Sequence, residues 1–300
     1  MRRTAIAALL VGGLLVSACG DDDEETADTA PPAETGAPAD TGAPADTGAG
    51  GAACADGKTV VDGELTIATG EPAFPPYVID DAPETGEGFE AAVAMAVARE
   101  MGFEGDAVKW IRTTFDAAIQ PGPKDFDFNL QQYTITPDRA EVVSFSDPYY
   151  TAAQAIFGLA DSPAADATTI ADLQGLKIGV QASTTSLTYV EEVIQPTSAP
   201  LVFNDNAAAK QALDGNQIDA IVADLPTALF ITAVEMEGTA VYGQIEGSGT
   251  DQFGLLLEKD SPLVDCVNDA LAALTESGEL EAITTEWMAD YTEAPIITLT

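Results

Sequence analysis

The stretch GFEAAVAMAVAREMGFEGDAVKWIRTTFDAAIQPGPKDFDFNL, residues 88–130, contains the alternation that decides the fold. Apolar residues recur along one helical face of its first fourteen residues, which predicts an α-helix. The run at 108–111 predicts a strand, and a second helix over 115–120 ends at the Pro121-Gly122-Pro123 turn. Residues 127–130 predict another strand. Helices and strands in alternation are typical of an α/β fold.

The alternation extends beyond this stretch in both directions. Further predicted elements are a strand at 64–68, a strand at 176–180, helices at 186–194 and 207–214, a strand at 218–222, and two helices within 262–290 that are interrupted near Ser277-Gly278. The globular part, from about Lys58 onward, is about 240 residues long, enough for one large domain or for two lobes. Because the alternation occurs twice, we expect two α/β lobes.

The first residues have the composition of a secretory signal. Met1-Arg2-Arg3 is positively charged, residues 5–16 are almost entirely apolar, and Val16-Ser17-Ala18 precede Cys19. The apolar run is too short to span a bilayer, which needs about 20 residues. The cysteine at the cleavage point matches the bacterial lipobox, so we expect removal of 1–18 and lipidation of Cys19. An ordinary signal peptide with an incidental cysteine is the alternative.

Residues 19–57 differ in composition from the rest of the chain. They include an acidic run at 21–25 and the repeated sequence TGAPAD at 35–40 and 41–46. Such a segment buries too little apolar surface to offset the entropy lost on ordering. We therefore expect a disordered acidic tether that holds the globular part away from a membrane.

Charge, histidine and cysteine content exclude several classes of function. The formal charge is −39, and an acidic surface repels nucleic acid. The chain has no histidine, which excludes Ser-His and Cys-His nucleophile pairs and histidine metal ligands. We predict no catalytic residue, no metal site and no cofactor. Cys54 and Cys266, an even pair in an oxidising compartment, are expected to form a disulfide, with two free buried thiols as the alternative.

Six separated motifs resemble the family 3 extracellular solute-binding proteins, which serve ABC importers of polar amino acids. They are EPAFPPY at 71–77, GF at 88–89, TITPDRA at 134–140, FSDPYY at 145–150, DLQGLKIGV at 172–180 and DAIVAD at 219–224. The resemblance covers residues 63–291. It implies a type II periplasmic-binding-protein-like fold, in which two α/β lobes joined by a two-segment hinge close around a small polar solute.

The resemblance also implies lobe boundaries and partners. Residues 59–150 and 252–292 would form one lobe and residues 154–246 the other, with crossings at 151–153 and 247–251. The ligand would be an amino acid or similar polar solute, and the protein partner an ABC-transporter permease. We expect a monomer outside the cytoplasm, anchored to the bacterial cell membrane by the lipid on Cys19.

Four polar residues are expected to hold the head group of the ligand. By the resemblance, Arg139 clamps the α-carboxylate with its fork of N–H donors. Thr134 and Thr185 would bind the same carboxylate from opposite lobes, and Asp224, at a strand end, would pair with the α-ammonium. The alternatives are a surface arginine at a helix start, Asp224 as a helix N-cap, and Thr184 as the N-cap of the helix near Thr185.

Four further residues would contact the ligand side chain. Phe74 and Phe115 align with aromatic positions that sandwich the side chain in the family, and buried core aromatics are the alternative. Glu71 would meet a polar or cationic side chain, which disfavours an acidic ligand; a solvated loop acid is the alternative. Gln132, in a Gln-Gln pair that replaces small residues of the family, would narrow the pocket or bind the side chain.

Two other functions remain compatible with this scaffold. An enzyme resembling cyclohexadienyl dehydratase would need a cleft acid with a raised pKa, for which Glu71 is the candidate. A ligand-sensing module would act through a partner protein. A binding protein needs only polar groups around a pocket and a hinge, so we predict that the chain is not an enzyme.

Overall fold

The computed structural model describes residues 54–300. The predicted signal peptide, Cys19 and the tether up to residue 53 lie outside these residues. Across the described part of the chain, no helix combines the length and the apolar character needed to span a membrane. Residues 54–57 belong to the folded body, because Ala55 is buried in its core.

Strands and helices alternate along the described chain. The strands are β1 (Leu65–Gly70), β2 (Val108–Thr113), β3 (Phe128–Asn129), β4 (Ser144–Ala152), β5 (Gln154–Leu159), β6 (Ile178–Gln181), β7 (Leu201–Phe203), β8 (Ala220–Asp224), β9 (Thr239–Ile245), β10 (Asp251–Leu257) and β11 (Ile296–Ile297). The helices are α1 (Phe89–Glu100), α2 (Phe115–Ala118), α3 (Pro137–Ala140), α4 (Ile170–Leu173), α5 (Thr185–Tyr189), α6 (Asn206–Asp214), α7 (Leu225–Phe230), α8 (Val264–Glu276) and α9 (Glu279–Met288). Short 3-10 or π-helical turns lie at Ile79–Asp81, Pro83–Thr85, Gly105–Ala107, Pro163–Asp166, Val190–Ile194, Ile231–Glu235 and Ala289–Tyr291.

The strands form two mixed sheets. The first has the order β2-β1-β3-β10-β4, with β1 parallel to β2 and β3 and with β10 antiparallel to β3 and β4. The second has the order β11-β9-β5-β8-β6-β7, in which β5 is antiparallel to both β8 and β9. We call the first sheet with its helices lobe 1 and the second sheet with its helices lobe 2.

Each sheet is covered by helices because its strands are apolar on the faces they bury. In lobe 1, α1, α8 and α9 contact one another, and their apolar faces join β1 and β10 in one core. In lobe 2, successive residues of β5 point to opposite faces, so Ile156 and Phe157 pack into two separate cores. Both faces of the lobe 2 sheet are therefore buried.

Helix α1 begins at a backbone position that requires glycine. Gly88 has a φ of 105°, and a Cβ at this residue would lie 2.5 Å from the carbonyl oxygen of Tyr77. The Glu90 backbone N–H donates to the same carbonyl at 2.9 Å. This close approach fixes the first turn of α1 against the 71–77 segment.

The predicted elements are present, with their ends shifted by no more than two residues when the π-helical turn Val190–Ile194 is counted as the continuation of α5. Strands β4, β5, β7, β9, β10 and β11 were not predicted from the sequence. The burial patterns of β5 and β10 explain part of this difference, because almost every residue is buried and neither strand shows the apolar–polar alternation of a half-exposed strand.

The chain passes between the two sheets at Ala153 and again at 246–250. A third passage, at 292–295, follows the last helical turn of lobe 1. It leads to β11, which pairs in parallel with β9 at the edge of the lobe 2 sheet. The C-terminal end of the described chain thus belongs to lobe 2.

A disulfide joins Cys54 to Cys266, the third residue of α8. The two Cα atoms are 5.8 Å apart, and the bond closes a loop with a sequence separation of 212 residues. Cys266 is buried in the core of lobe 1. The first described residue is thus tied to the helix that packs against β4.

Candidate ligand-binding site

A cavity of about 230 Å³ lies between the lobes. Strand ends form part of its wall, with Gly70 ending β1, Gln181 ending β6 and Asp224 ending β8. Ligands of open α/β sheets bind beyond the carboxyl ends of the strands, so the cavity has the expected place in the fold. The cavity is lined by all eight residues predicted to bind the ligand: Arg139, Asp224, Thr185, Thr134, Phe74, Phe115, Glu71 and Gln132.

The Arg139 guanidinium contacts both lobes. Its Nη1 donates to the Thr134 carbonyl at 2.7 Å, and its Nη2 donates to the Ser183 carbonyl at 2.9 Å. Its Cζ lies 5.4 Å from the centroid of the Phe115 ring. Burial lowers the pKa of Arg139, but an arginine remains protonated. Both hydrogen-bond partners are neutral carbonyls, so the positive charge is available to an anion.

Two threonine hydroxyls face each other across the cleft. The Oγ1 of Thr134 lies 3.4 Å from the Oγ1 of Thr185. Thr184 is the N-cap of α5, because its hydroxyl accepts from the Leu187 backbone N–H at 3.2 Å. Thr185 is thereby free of a capping role, and its hydroxyl donates to Asp251 at 2.9 Å.

Asp224 stands at the N-cap position of α7, but its side chain does not cap the helix. Its Oδ1 accepts instead from the Nε2 of Gln154 at 2.7 Å. Burial raises the pKa of Asp224 to about 7, and repulsion from Asp251 adds to the increase, while attraction to Arg139 opposes it. The carboxylate is held in the cavity wall as an acceptor and lacks a cation at salt-bridge distance among residues 54–300.

Gln154 and Asp251 form the rear of this site, and neither was predicted from the sequence. Gln154 is fully buried and lies directly opposite Asp224 in the β5–β8 pairing. Its Nε2 also donates to Asp251 at 2.8 Å, and its Oε1 accepts from the Ser186 hydroxyl at 2.6 Å. The pairing register of the strands brings these groups together. The spacing of residues 154, 224 and 251 in the sequence does not indicate this, because they belong to distant segments.

Glu90 is a third residue that sequence reasoning missed. It lines the cavity from the first turn of α1, and only 2% of its surface is exposed. Its carboxylate accepts from the Gln132 backbone N–H at 2.7 Å, from the Gln132 Nε2 at 2.5 Å and from the Tyr149 hydroxyl. Burial raises the pKa of Glu90 to about 7. The sequence offered one indication of this role, because Glu90 is an acid among the small apolar residues at the start of α1.

The remaining predicted residues lie nearer the rim. Phe115 stacks on Tyr133 with ring centroids 4.6 Å apart, and Glu71 is exposed. Phe74 is half-buried, and the Nζ of Lys210 from lobe 2 lies 5.5 Å from the centroid of its ring. The contact between Lys210 and Phe74 joins the two lobes, as does the hydrogen bond from Arg139 to Ser183.

The cavity is strongly acidic. Its lining includes five acids and, among the described residues, one cation, Arg139. Two of the acids are the buried Glu90 and the inward-facing Asp224. The other three lie at the rim: Glu71, Asp116 and Asp205. Positive charge would complement such a lining.

A family model described as bacterial extracellular solute-binding proteins, family 3, matches residues 65–290. The chain belongs to this family. The resemblance inferred from the six motifs is therefore confirmed, and the two lobes are those of the type II periplasmic-binding-protein fold. Family 3 membership places the chain among extracytoplasmic proteins.

Individual proteins are similar to this chain at about 30% identity. The L-cystine-binding protein TcyJ of Escherichia coli (strain K12) is 29% identical over 232 residues, which cover 74% of this chain and 82% of TcyJ. The structure of an ancestral arginine-binding protein bound to arginine is 29% identical, with a TM-score of 0.64, covering 75% of this chain and 98% of that one. The ancestral amino acid-binding protein AncCDT-1, a precursor of cyclohexadienyl dehydratase, is 30% identical with a TM-score of 0.62, covering 75% and 95%.

Proposed function

We propose that this protein is the substrate-binding component of an ABC importer and captures an amino acid between its lobes. The observation that carries the proposal is that Arg139 and Asp224 line one cavity while neither forms an ion pair within residues 54–300. The α-carboxylate and α-ammonium of an amino acid complement these two charges. Thr134 would donate its hydroxyl to the carboxylate from lobe 1. Thr185 would donate its backbone N–H from lobe 2, because its hydroxyl hydrogen is already directed at Asp251.

The charge of the lining favours an amino acid with a cationic side chain. Once Arg139 and Asp224 are paired with the head group, Glu90 and the rim acids remain without a cation among the lining residues. Phe74 and Phe115 would supply apolar and π surfaces beside the side chain, which suits a cationic group. The ligand named for the ancestral arginine-binding protein is consistent with this class.

The proposed capture requires the lobes to move about their connecting segments. We assign residues 59–150 and 252–292 to lobe 1 and residues 154–246 to lobe 2, to which β11 adds the C-terminal segment. The crossings at 151–153 and 247–251 act as the hinge. The structure has the lobes in contact across the cleft, as in the 3.3 Å hydrogen bond from the Thr227 hydroxyl to the Tyr77 hydroxyl. Lipidation of Cys19 and a monomeric state complete the proposal.

Catalysis is the second candidate, and one observation favours it. Glu90 is a buried cavity acid whose raised pKa, about 7, suits a proton donor. Its oxygens, however, already accept hydrogen bonds from Gln132 and Tyr149. A group committed in this way is better placed to hold a bound cation than to deliver a proton, and we therefore propose that the protein is not an enzyme. Product formation on incubation with a cyclohexadienyl substrate would contradict this.

Calorimetric titration tests the proposed function. The protein is titrated with arginine, lysine, cystine, glutamine and glutamate, and with agmatine, which is arginine without its carboxylate. We expect micromolar or tighter binding of a cationic amino acid and little binding of agmatine or glutamate. Replacing Arg139 by alanine should weaken binding by about 100-fold or more, because it removes the partner of a desolvated charge.

The matched control is Arg99→Ala. Arg99 is an exposed lobe 1 arginine whose ion pairs are with Glu100 and Glu279, away from the cavity. The control should bind like the unaltered protein. Failure of every amino acid to bind, or equal losses in the two variants, would overturn the proposed function.

A further inference from the structure

A second carboxylate lies behind the proposed ammonium site. Asp251 begins β10, immediately after the crossing at 246–250, and is 6% exposed. It does not line the cavity. The Nε2 of Gln154 donates to Asp224 at 2.7 Å and to Asp251 at 2.8 Å, so two carboxylates share one amide nitrogen. The arrangement joins a cavity residue of lobe 2 to a crossing segment.

This pair carries more negative charge than its surroundings compensate. An amide nitrogen has two hydrogens, which satisfy one acceptor site on each carboxylate. Asp251 also accepts from the Thr185 hydroxyl. The charged or titratable groups that act on the pair from neighbouring elements are the cation Arg139, the acid Glu90, and the tyrosines Tyr77, Tyr149, Tyr150 and Tyr189.

One cation therefore faces two like charges in a buried setting. Burial and mutual repulsion both disfavour ionisation of the two carboxyl groups together. Arg139 relieves this only in part, and in the proposed complex its charge is engaged by the ligand carboxylate. In the empty cleft, the negative charge of the two carboxyl groups is best reduced by one retained proton. When the ligand binds, its ammonium group supplies the positive charge that this proton had supplied.

We propose that Asp224 and Asp251, bridged by Gln154, act as one proton-holding pair, and that binding of the ligand ammonium releases about one proton from it. The inference rests on the proposed function, since it requires an ammonium group at Asp224. The O–H bond of the carboxylic acid breaks and the proton passes to the buffer. The pair thereby gains one negative charge, which the positive charge of the ammonium compensates. Asp251 is thus a positioning residue that sets the charge of the site without touching the ligand.

The proposal predicts the direction of the pH dependence. Because binding expels a proton, affinity rises with pH over the range in which the pair still holds that proton, and becomes constant above it. The increase in affinity approaches tenfold per pH unit over the range in which binding releases a full proton. A ligand would therefore be held more weakly in an acidic medium.

Calorimetry with arginine as the probe measures the released proton directly. The titration is run at pH 6 in buffers of different ionisation enthalpy, and the dependence of the observed heat on that enthalpy gives the number of protons. We expect the release of at least one proton from the unaltered protein, of which one comes from the pair. In Asp251→Asn the release should fall, and the midpoint of the affinity–pH profile should move to lower pH, because Asp224 loses its like-charged neighbour.

Two further variants identify the source of the proton. Asp214→Asn, an exposed acid at the end of α6, controls for the loss of one negative charge and should match the unaltered protein. Glu90→Gln should retain about one released proton, which comes from the pair. Any further proton that Glu90 gives up to the cationic side chain should be lost in this variant. Arginine binding without proton release, an unchanged profile in Asp251→Asn, or loss of release in Glu90→Gln alone overturns the inference while leaving the proposed function intact. Failure of all amino acids to bind overturns both.

Discussion

Glu90 combines burial with charge in a way that affects the folded state as well as the site. Its three donors are a backbone amide, a side-chain amide and a tyrosine hydroxyl, all neutral groups. Hydrogen bonds to the charged form lower the pKa of a carboxyl group, but burial outweighs them here and raises the pKa of Glu90 from 4.5 to about 7. Ionising Glu90 is thus less favourable in the folded protein than in the unfolded chain.

This difference predicts how the stability of the ligand-free protein changes with pH. The folded state binds the Glu90 proton more tightly, so its contribution is complete below about pH 4.5 and is lost as pH rises through about 7. The loss is about 3 kcal/mol in the free energy of unfolding between these limits. Denaturant unfolding at pH 5 and pH 8 measures it. Glu90→Gln should flatten the dependence, whereas the exposed Glu87→Gln should not; equal slopes in both variants would contradict the argument.

Several residues of the cavity could be anticipated from the sequence, and others could not. Arg139 and Asp224 belong to motifs in which charged residues follow turns or strand ends, and both line the cavity. Their assigned roles remain predictions. Gln154 and Asp251 gave no such signal, because one begins an apolar strand and the other follows a glycine-rich linker. What makes them neighbours is strand register, which depends on the packing of the whole lobe.

At the scale of single elements, β11 extends lobe 2 by only two residues but changes the edge of its sheet. Ile296 and Ile297 pair with Gln244 and Ile245 of β9. Ile297 is completely buried in a lobe 2 core, whereas Ile296 is 60% exposed. The strand therefore holds the C-terminal segment on lobe 2 mainly through one side chain.

The two neighbouring isoleucines provide a matched test of this anchor. Ile297→Ala should lower the free energy of unfolding by about 2–5 kcal/mol, because it removes a buried side chain and leaves a cavity. Ile296→Ala makes the same chemical change at an exposed position and should alter stability by about 0.5 kcal/mol or less. Chemical denaturation of the two variants measures both changes in the free energy of unfolding. A similar cost for both would mean that β11 does not anchor the segment.

Periodicity along the chain indicated most of the helices and most of the strands that have a parallel neighbour, but none of the long antiparallel strands β4, β5, β9 and β10. β4 and β5 are almost continuous, separated by Ala153 alone, yet they belong to different sheets. No local property of this segment shows where it leaves one sheet for the other. The family resemblance supplied that division, because it draws on the arrangement of the whole molecule.

At the scale of the whole molecule, the lobes also meet through Lys210 of α6. Its ion pair with Glu235, at 2.6 Å, lies within lobe 2 and does not depend on the position of lobe 1. Its contact with the Phe74 ring joins the two lobes. Opening the cleft would break the second interaction and preserve the first, so the cation–π contact should favour the closed arrangement selectively.

A closed cleft retains its ligand, so loss of the contact between Lys210 and the Phe74 ring should increase the dissociation rate of the ligand. Lys210→Met should speed dissociation of a bound amino acid by about 2- to 30-fold, which corresponds to a cation–π contribution of about 0.5–2 kcal/mol. Lys210→Arg keeps a cation over the ring and should restore slow release. Lys177→Met removes the same charge from an exposed site of lobe 2 and controls for the general rise in negative charge. Stopped-flow displacement measures all four proteins. Equally fast release from Lys210→Met and Lys177→Met would assign the effect to overall charge, because of these two lysines only Lys210 contacts the other lobe.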